Sequence, residues 1–402
     1  MNSKLLSTTL LCAAAILAGT GTLHAQASFS QFSIDGYQIQ MHGFASQGFA
    51  LSNQNNYLTM DTTNGSFALT DGGLNLSTHL NDKLRVGAQG YIRDIGQLGG
   101  GRFTLDWAFV DYKFRDWLGF RAGKVKTTLG LYNDTQDAES LHTWALLPQS
   151  LYPTDLRTSL IAHTGGDIYG QIGLRKAGSL SYTAYAGKRS DESRSGYYFS
   201  TQDTGIPNDS WNGTLVGTDV RWNTPVPGLM MGGSYVDETD TIKGTYTALG
   251  NAPYTLTSMP DHVSDGYVDY TIGKLHLDAE YRRNNIVYLF TVLGSGSPVN
   301  QGSSGWFASA AYRLSKKLEV GSYHSRFYVD NPASSDPAGN HIFDQTMTVK
   351  YDITHWWDVK VEGHFINGYG DLYSAHGFYL RSNPDGMKPT TDLLVVRTGF
   401  YF

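Results

Sequence analysis

Cysteine is almost missing from this chain of 402 residues; its one example, Cys12, lies in an N-terminal stretch that reads as an export signal. The rest of the chain therefore has no disulfide, no thiolate metal site and no thiol nucleophile. Beyond that stretch no apolar run approaches the roughly 18 residues of a membrane-spanning helix. A basic excess is also lacking. Lysine and arginine total 30 against 36 aspartates and glutamates, a formal charge of −6, which offers nucleic acid no positive face. No G-x-S-x-G or H-E-x-x-H motif occurs, the 12 histidines are scattered, and no acidic stretch has the spacing of an EF-hand loop. Neither an enzyme, a cofactor nor a metal is expected.

The N-terminal stretch has a positive start at Lys4, an apolar run from Leu10 to Ala18, and small residues leading to Ala25-Gln26-Ala27. That is the anatomy of a secretory signal, and cleavage after Ala25 or after Ala27 fits equally well. The run is too short for a membrane anchor. Residues 1–27 are read as the signal and 28–402 as one domain.

What the chain does have is glycine and aromatics together: 46 Gly, 26 Tyr and 18 Phe, against 12 Pro. A membrane protein can escape a hydropathy scan in one way, by crossing in strands whose lipid-facing and lumen-facing residues alternate. Junctions along the chain fall into two kinds. Short ones carry turn residues, at Asn81-Asp82, Arg115-Asp116, Ala177-Gly178, residues 224–227, Gly273-Lys274, Ser315-Lys316 and residues 352–355. Long polar ones cover 51–66, 95–102, 127–162, 189–211, 239–262, 285–304, 331–341 and 368–389. About seven short turns and about eight long loops give about sixteen strands, an even number that closes the sheet. The expected fold is an all-β transmembrane antiparallel barrel with an inward-folded third loop.

The strands alternate as that fold requires. Leu275, Leu277, Ala279 and Tyr281 oppose His276, Asp278, Glu280 and Arg282; Val359, Val361 and Phe365 oppose Asp358, Lys360, Glu362 and His364. The segment from Phe103 to Phe114 changes phase midway, which predicts a bulge or an inward aromatic. Trp117, Trp222, Trp356 and Trp357 stand within a few residues of short turns, where an interfacial aromatic girdle belongs. The last strand carries Phe400 and Phe402.

Between Gly119 and Gly173 the chain reads FRAGKVKTTLGLYND, LLPQSLYPTDLR and GGDIYGQIG. This region resembles the phosphate-selective porins O and P and their broader proteobacterial relatives. There a basic strand end runs into an inward-folded third loop, followed by a Gly-Gly-x-x-Tyr-Gly strand. The resemblance implies a sixteen-stranded homotrimer in the outer membrane, in contact with lipid, that passes small solutes or ions.

The loop 127–162 holds Leu129, Leu131, Leu141, Trp144, Leu146 and Leu147, which a free external loop would avoid. Folded into the lumen, it narrows a pore; packed on top or at a subunit contact, it does not. The expected constriction sets the loop's Asp134, Asp137, Glu139 and its single basic residue, Arg157, against a basic wall of Arg85, Arg93, Arg121, Lys124 and Lys126, because rings and faces of charge set pore selectivity. The resulting expectation is passive diffusion of small hydrophilic solutes, anions among them. A barrel with a closed lumen that serves as a surface receptor or adhesin is the alternative.

Overall fold

The computed structural model describes residues 31–34, 36–190, 194–370 and 376–402. The export signal expected over 1–27 lies outside the described residues. The first half of the chain forms β1 (Gln31–Ile34), β2 (Tyr37–Ser52), β3 (Ser66–His79), β4 (Leu84–Ile95), β5 (Leu98–Arg115), β6 (Leu118–Lys126), β7 (Ala162–Gly173), β8 (Ser179–Ser190) and β9 (Asn208–Asn223). The second half forms β10 (Leu229–Tyr246), β11 (Ala252–Ile272), β12 (Leu275–Val292), β13 (Ser295–Asn300), β14 (Ser303–Arg313), β15 (Leu318–Val329), β16 (His341–Thr354), β17 (Trp357–Asn367) and β18 (Thr390–Tyr401).

Each wall strand pairs antiparallel with its sequence neighbours, and β18 returns to β2 with Phe400 opposite Ala45. The wall is a closed barrel of sixteen strands. Closure leaves no edge of unpaired N–H and C=O groups, which lipid would penalise by several kcal/mol each. Two strands stand outside the count. β1 folds back on the start of β2, and β13 pairs with the outer end of β12. At the seam Phe402 and Gly43 exchange both backbone hydrogen bonds, at 3.0 and 3.1 Å. A Cβ at position 43 would fall 2.5 Å from the Phe402 ring, so the aromatic needs the glycine beneath it.

All seven short turns occur where turn residues predict them. Three long junctions are shorter than expected. β4 and β5 join through Gly96-Gln97, β10 and β11 through residues 247–251, and β12 continues as a hairpin with β13. The Thr, Tyr and Val content of the second and third favours strand, so those segments extend the wall as arms.

The alternation holds. Val349, Val361, Phe365 and Met347 are exposed on the outer face, while Asp358, Lys360, Glu362 and His364 are buried inside. The phase change in β5 is a bulge. Gln89 pairs with Trp107 and Gly90 with Leu105, so Asp106 is skipped. Asp106 and Trp107 both turn inward and are buried, and Trp107 stacks on Phe109 at 5.2 Å.

Candidate pore constriction

The loop between β6 and β7 starts from a closed neck. Thr127 N–H donates to the Ile161 carbonyl at 3.0 Å. The Asn133 amide ties Thr127 and Leu160 together, at 2.6 and 3.0 Å. From that neck the loop turns into the lumen, and its apolar residues decide this. Leu129 packs with Tyr185, Leu215 and Val236. Leu131, Tyr132, Leu151 and Tyr152 pack with Tyr267 and Phe307. Ala145, Leu146 and Leu156 join a larger cluster with residues of the other long loops, including Tyr57, Phe199 and Phe378. Burying each such side chain is worth about 1.5–3 kcal/mol, which no perch on top of the barrel would supply. Leu141 departs from the expectation: it is 69% exposed.

Wall glycines make room for the loop. A Cβ on Gly321 would lie 2.7 Å from the Trp144 ring, and one on Gly305 would lie 2.8 Å from Leu151. The loop backbone is then held by charged wall residues. Glu362 accepts from the N–H groups of Ala145 and Leu146, each at 2.9 Å. Lys350 donates to the carbonyls of Ser140 and His142, Lys360 to those of Glu139 and Trp144, and Arg397 to that of Ala145. On other walls Arg93 donates to the Thr154 carbonyl at 2.9 Å and Arg282 to that of Leu151 at 2.7 Å. These are charge-assisted bonds, stronger than neutral ones.

The basic wall differs from the expected one. Lys350, Lys360 and Arg397 are cross-strand partners on β16, β17 and β18. Like charges directly opposite repel. This row is offset by Glu139, 2.7 Å from Lys360, by Asp71, 2.8 Å from Arg397, by Asp358, 3.4 Å from Lys350, and by loop carbonyls. The inward parity of Lys360 and Arg397 is visible in the sequence, but their meeting with residue 139 needs the barrel to close.

The residues expected to form the site divide into three groups. Lys126, Asp137 and Arg157 do come together. Lys126 is 2.6 Å from Asp137, Gln89 donates to the same carboxylate at 2.6 Å, and Arg157 stands 3.9 Å away. Arg157 also forms a two-pronged pair with Asp106 at 2.8 and 2.9 Å and lies 3.9 Å over the Tyr91 ring. The bulge in β5 is what brings Asp106 there. Arg93, Asp134 and Glu139 touch other partners: loop main chain, Arg221 at 3.3 Å and Lys360.

Three residues stand away from the loop. Arg121 pairs with Asp111 at 3.3 Å and Asp167 at 3.9 Å, and Arg85 donates to Ser77 at 3.3 Å, both toward the short-turn end. Lys124 is on the outer face. It shares the parity of exposed Phe120 and Ala122, pairs across to Ala108, and donates to the exposed Leu105 carbonyl. The expected wall on β4 and β6 thus contributes only Arg93 and Lys126 to the candidate constriction: Lys124 stays on the outer face, Lys126, of the same parity but last in β6, reaches the Asp134 carbonyl and Asp137 where the chain leaves the wall, and depth separates Arg85 and Arg121.

Electrostatics follow the contacts. Burial alone would raise the Glu139 carboxyl, but Lys360 and then Arg397 outweigh it and hold it at about 2. Burial likewise works against ionised Asp137, and Lys126 and Arg157 override it to bring the carboxyl below its usual range. Burial pushes the His142 imidazole down to about 4, so it is neutral near pH 7 and its Nε2–H donates to the Thr135 carbonyl at 3.0 Å.

No family model and no curated relative matches the chain. Solved structures do. An outer-membrane expressed protein of Vibrio cholerae, OmpT, is 14% identical with a TM-score of 0.57, over 92% of this chain and 100% of that one. The outer membrane channel DcaP of Acinetobacter baumannii is 10% identical with a TM-score of 0.57, over 93% and 100%. An anion-selective porin from Comamonas acidovorans is 12% identical with a TM-score of 0.54, over 91% and 100%. The likeness at these identities is one of fold: the chain shares the sixteen-stranded antiparallel barrel of these outer-membrane proteins.

Proposed function

We propose that the chain is an outer-membrane porin, a passive diffusion channel for small hydrophilic solutes whose constriction is the loop 127–161. The observation that carries this reading is the loop itself. It crosses a charged lumen and is tied to walls on both sides, through Asp137–Lys126 on one and Glu139–Lys360 on the other. A closed barrel with an apolar exterior and a polar interior suits lipid outside and water within. The named relatives in fold include a channel and a porin.

Residues 1–27 serve in this reading as the export signal, and assembly as a homotrimer follows from the resemblance to the porin O and P group. Small organic anions are among the solutes, but selectivity is modest. Several of the lumen's basic groups are paired with carboxylates: Arg157 with Asp106, Arg221 with Asp219, Arg282 with Asp265, Arg397 with Asp71. Fields that cancel within a few ångströms orient a polar solute without excluding either ion sign. Deleting part of 134–144 in a barrel that still shows a heat-dependent gel shift should raise single-channel conductance in a planar bilayer. Unchanged conductance would remove the loop from the pore.

The second reading, a receptor barrel with a closed lumen, draws on the apolar cluster that joins the long loops, where Tyr57 meets Phe378 edge-on at 5.2 Å. Intact protein that gives no conductance steps would favour it.

A further inference from the structure

Glu238 and Asp240 on β10 and Asp261 on β11 bring three carboxylates together on the inner wall, away from the loop's salt bridges. One oxygen from each lies within 4.8 Å of the others, and all three residues are buried. A sequence irregularity creates the cluster. Pro260 has no N–H to give the sheet, and pairing with β10 skips from Asp237↔His262 to Thr241↔Thr257. Pairing with β12 skips from Ser258 to Asp261. Three residues of β10 thus face four of β11, and such bulges re-aim side chains. Met259 is left 62% exposed on the outer face, while Asp261 is 3% exposed and turned inward.

The charges do not balance. Arg189 pairs with Glu238 at 2.5 Å. Asp240 accepts a long 3.4 Å bond from the Tyr288 hydroxyl, and its Oδ1 is buried with no hydrogen-bond partner. The Asp261 carboxylate makes no hydrogen bond or ion pair among the described residues. Both aspartates line a cavity of about 390 Å³, shared with Trp211, Tyr288, Leu129 and the helix Gly196–Asp203. Three buried carboxylates that share one counter-charge are costly, and both aspartates open onto one space.

We propose that Glu238, Asp240 and Asp261 bind a divalent cation of the calcium type in this cavity. Oxygens about 2.3–2.6 Å from one calcium ion stand at most about 5 Å apart, as these do, and an all-oxygen set of carboxylates selects a hard cation. Calcium needs six to eight oxygens in flexible geometry. Three carboxylates meet part of that, and the cavity has room for water to complete the shell. The cation neutralises the excess charge that Arg189 leaves, and it ties β10 to β11 where their pairing is broken.

The test is binding, so it does not depend on whether the barrel conducts. Terbium added to refolded barrel in detergent should give a saturable luminescence, sensitised by Trp211 and Tyr288, that calcium displaces. Asp261→Asn should weaken calcium competition at least about tenfold, while the surface variant Asp385→Asn should leave it unchanged. No calcium-displaceable signal in the unmodified protein, or equal affinity in a folded Asp261→Asn barrel, would overturn the proposal. Should that variant fail to fold, crystals of the unmodified protein soaked in manganese serve instead. An anomalous peak among the three carboxylates supports the site, and no peak there rejects it.

Discussion

Glu139 Oε1 lies 2.7 Å from Lys360 Nζ, although the two residues stand 221 positions apart. Lys360 is fully buried and also holds the carbonyls of Glu139 and Trp144. Removing one partner of a buried ion pair strands the other's charge. Lys360→Met should therefore lower stability in a refolding titration by about 3–5 kcal/mol, and Glu139→Gln in the same background should recover part of it. If the double variant is no better than Lys360→Met alone, the two side chains are not coupled.

Lys124 and Lys126, two residues apart, should behave differently. Lys126→Gln leaves Asp137 with less cationic compensation in the lumen, so reversal potentials in a salt gradient should move toward cation preference. Lys124→Gln changes only the outer face and should leave them as they were. Equal shifts from both would mean that Lys124 reaches the pore after all.

Outward positions should reject charge. Val361→Arg, near the bilayer midplane, should cost roughly 2–4 kcal/mol. Its neighbour Glu362 is no neutral control, because it caps the Ala145 and Leu146 N–H groups. Thr70, on the lipid side of β3, is exposed less than Phe67 and bonds Gln47, so Phe67→Arg, nearer the long loops, makes the better comparison. It should cost about 0–1 kcal/mol, as charge near an interface does. Equal costs at 361 and 67 would contradict this placement in the bilayer.

Acid should loosen the loop in two stages. Burial holds folded His142 at about 4 against 6.5 when exposed, so the unfolded chain binds the extra proton as pH falls through that window, and stability is lost there. Glu139, held at about 2 against 4.5, contributes stability that is present above 4.5 and lost as pH falls toward 2. Hydrogen exchange of the loop's amides, corrected for intrinsic rates, should therefore show weaker protection at about pH 5 than at about pH 7.5. His142→Gln should abolish most of that difference. Protection that is the same at both pH values would argue that His142 is not buried.

The sequence alone was enough for the barrel. A period of two, short turns alternating with long junctions, and tryptophans beside the turns are local signals, and local geometry answers to them. Even the bulge in β5 shows as a break in the aromatic phase, and the inward fold of 127–161 shows in its leucines. The candidate constriction was legible only in part. Lys126, Asp137 and Arg157 lie within one stretch of chain, and the structure brings them together. Lys350, Lys360, Glu362 and Arg397 carry the right parity, yet nothing local says that a loop more than 200 residues earlier rests on them. Parity tells which face a side chain takes, not how deep it sits or what crosses the lumen to meet it. Closure of β18 on β2 and the packing of Trp144 over Gly321 decide that, because they set the one path along which the loop can bury its apolar residues and pair its charges.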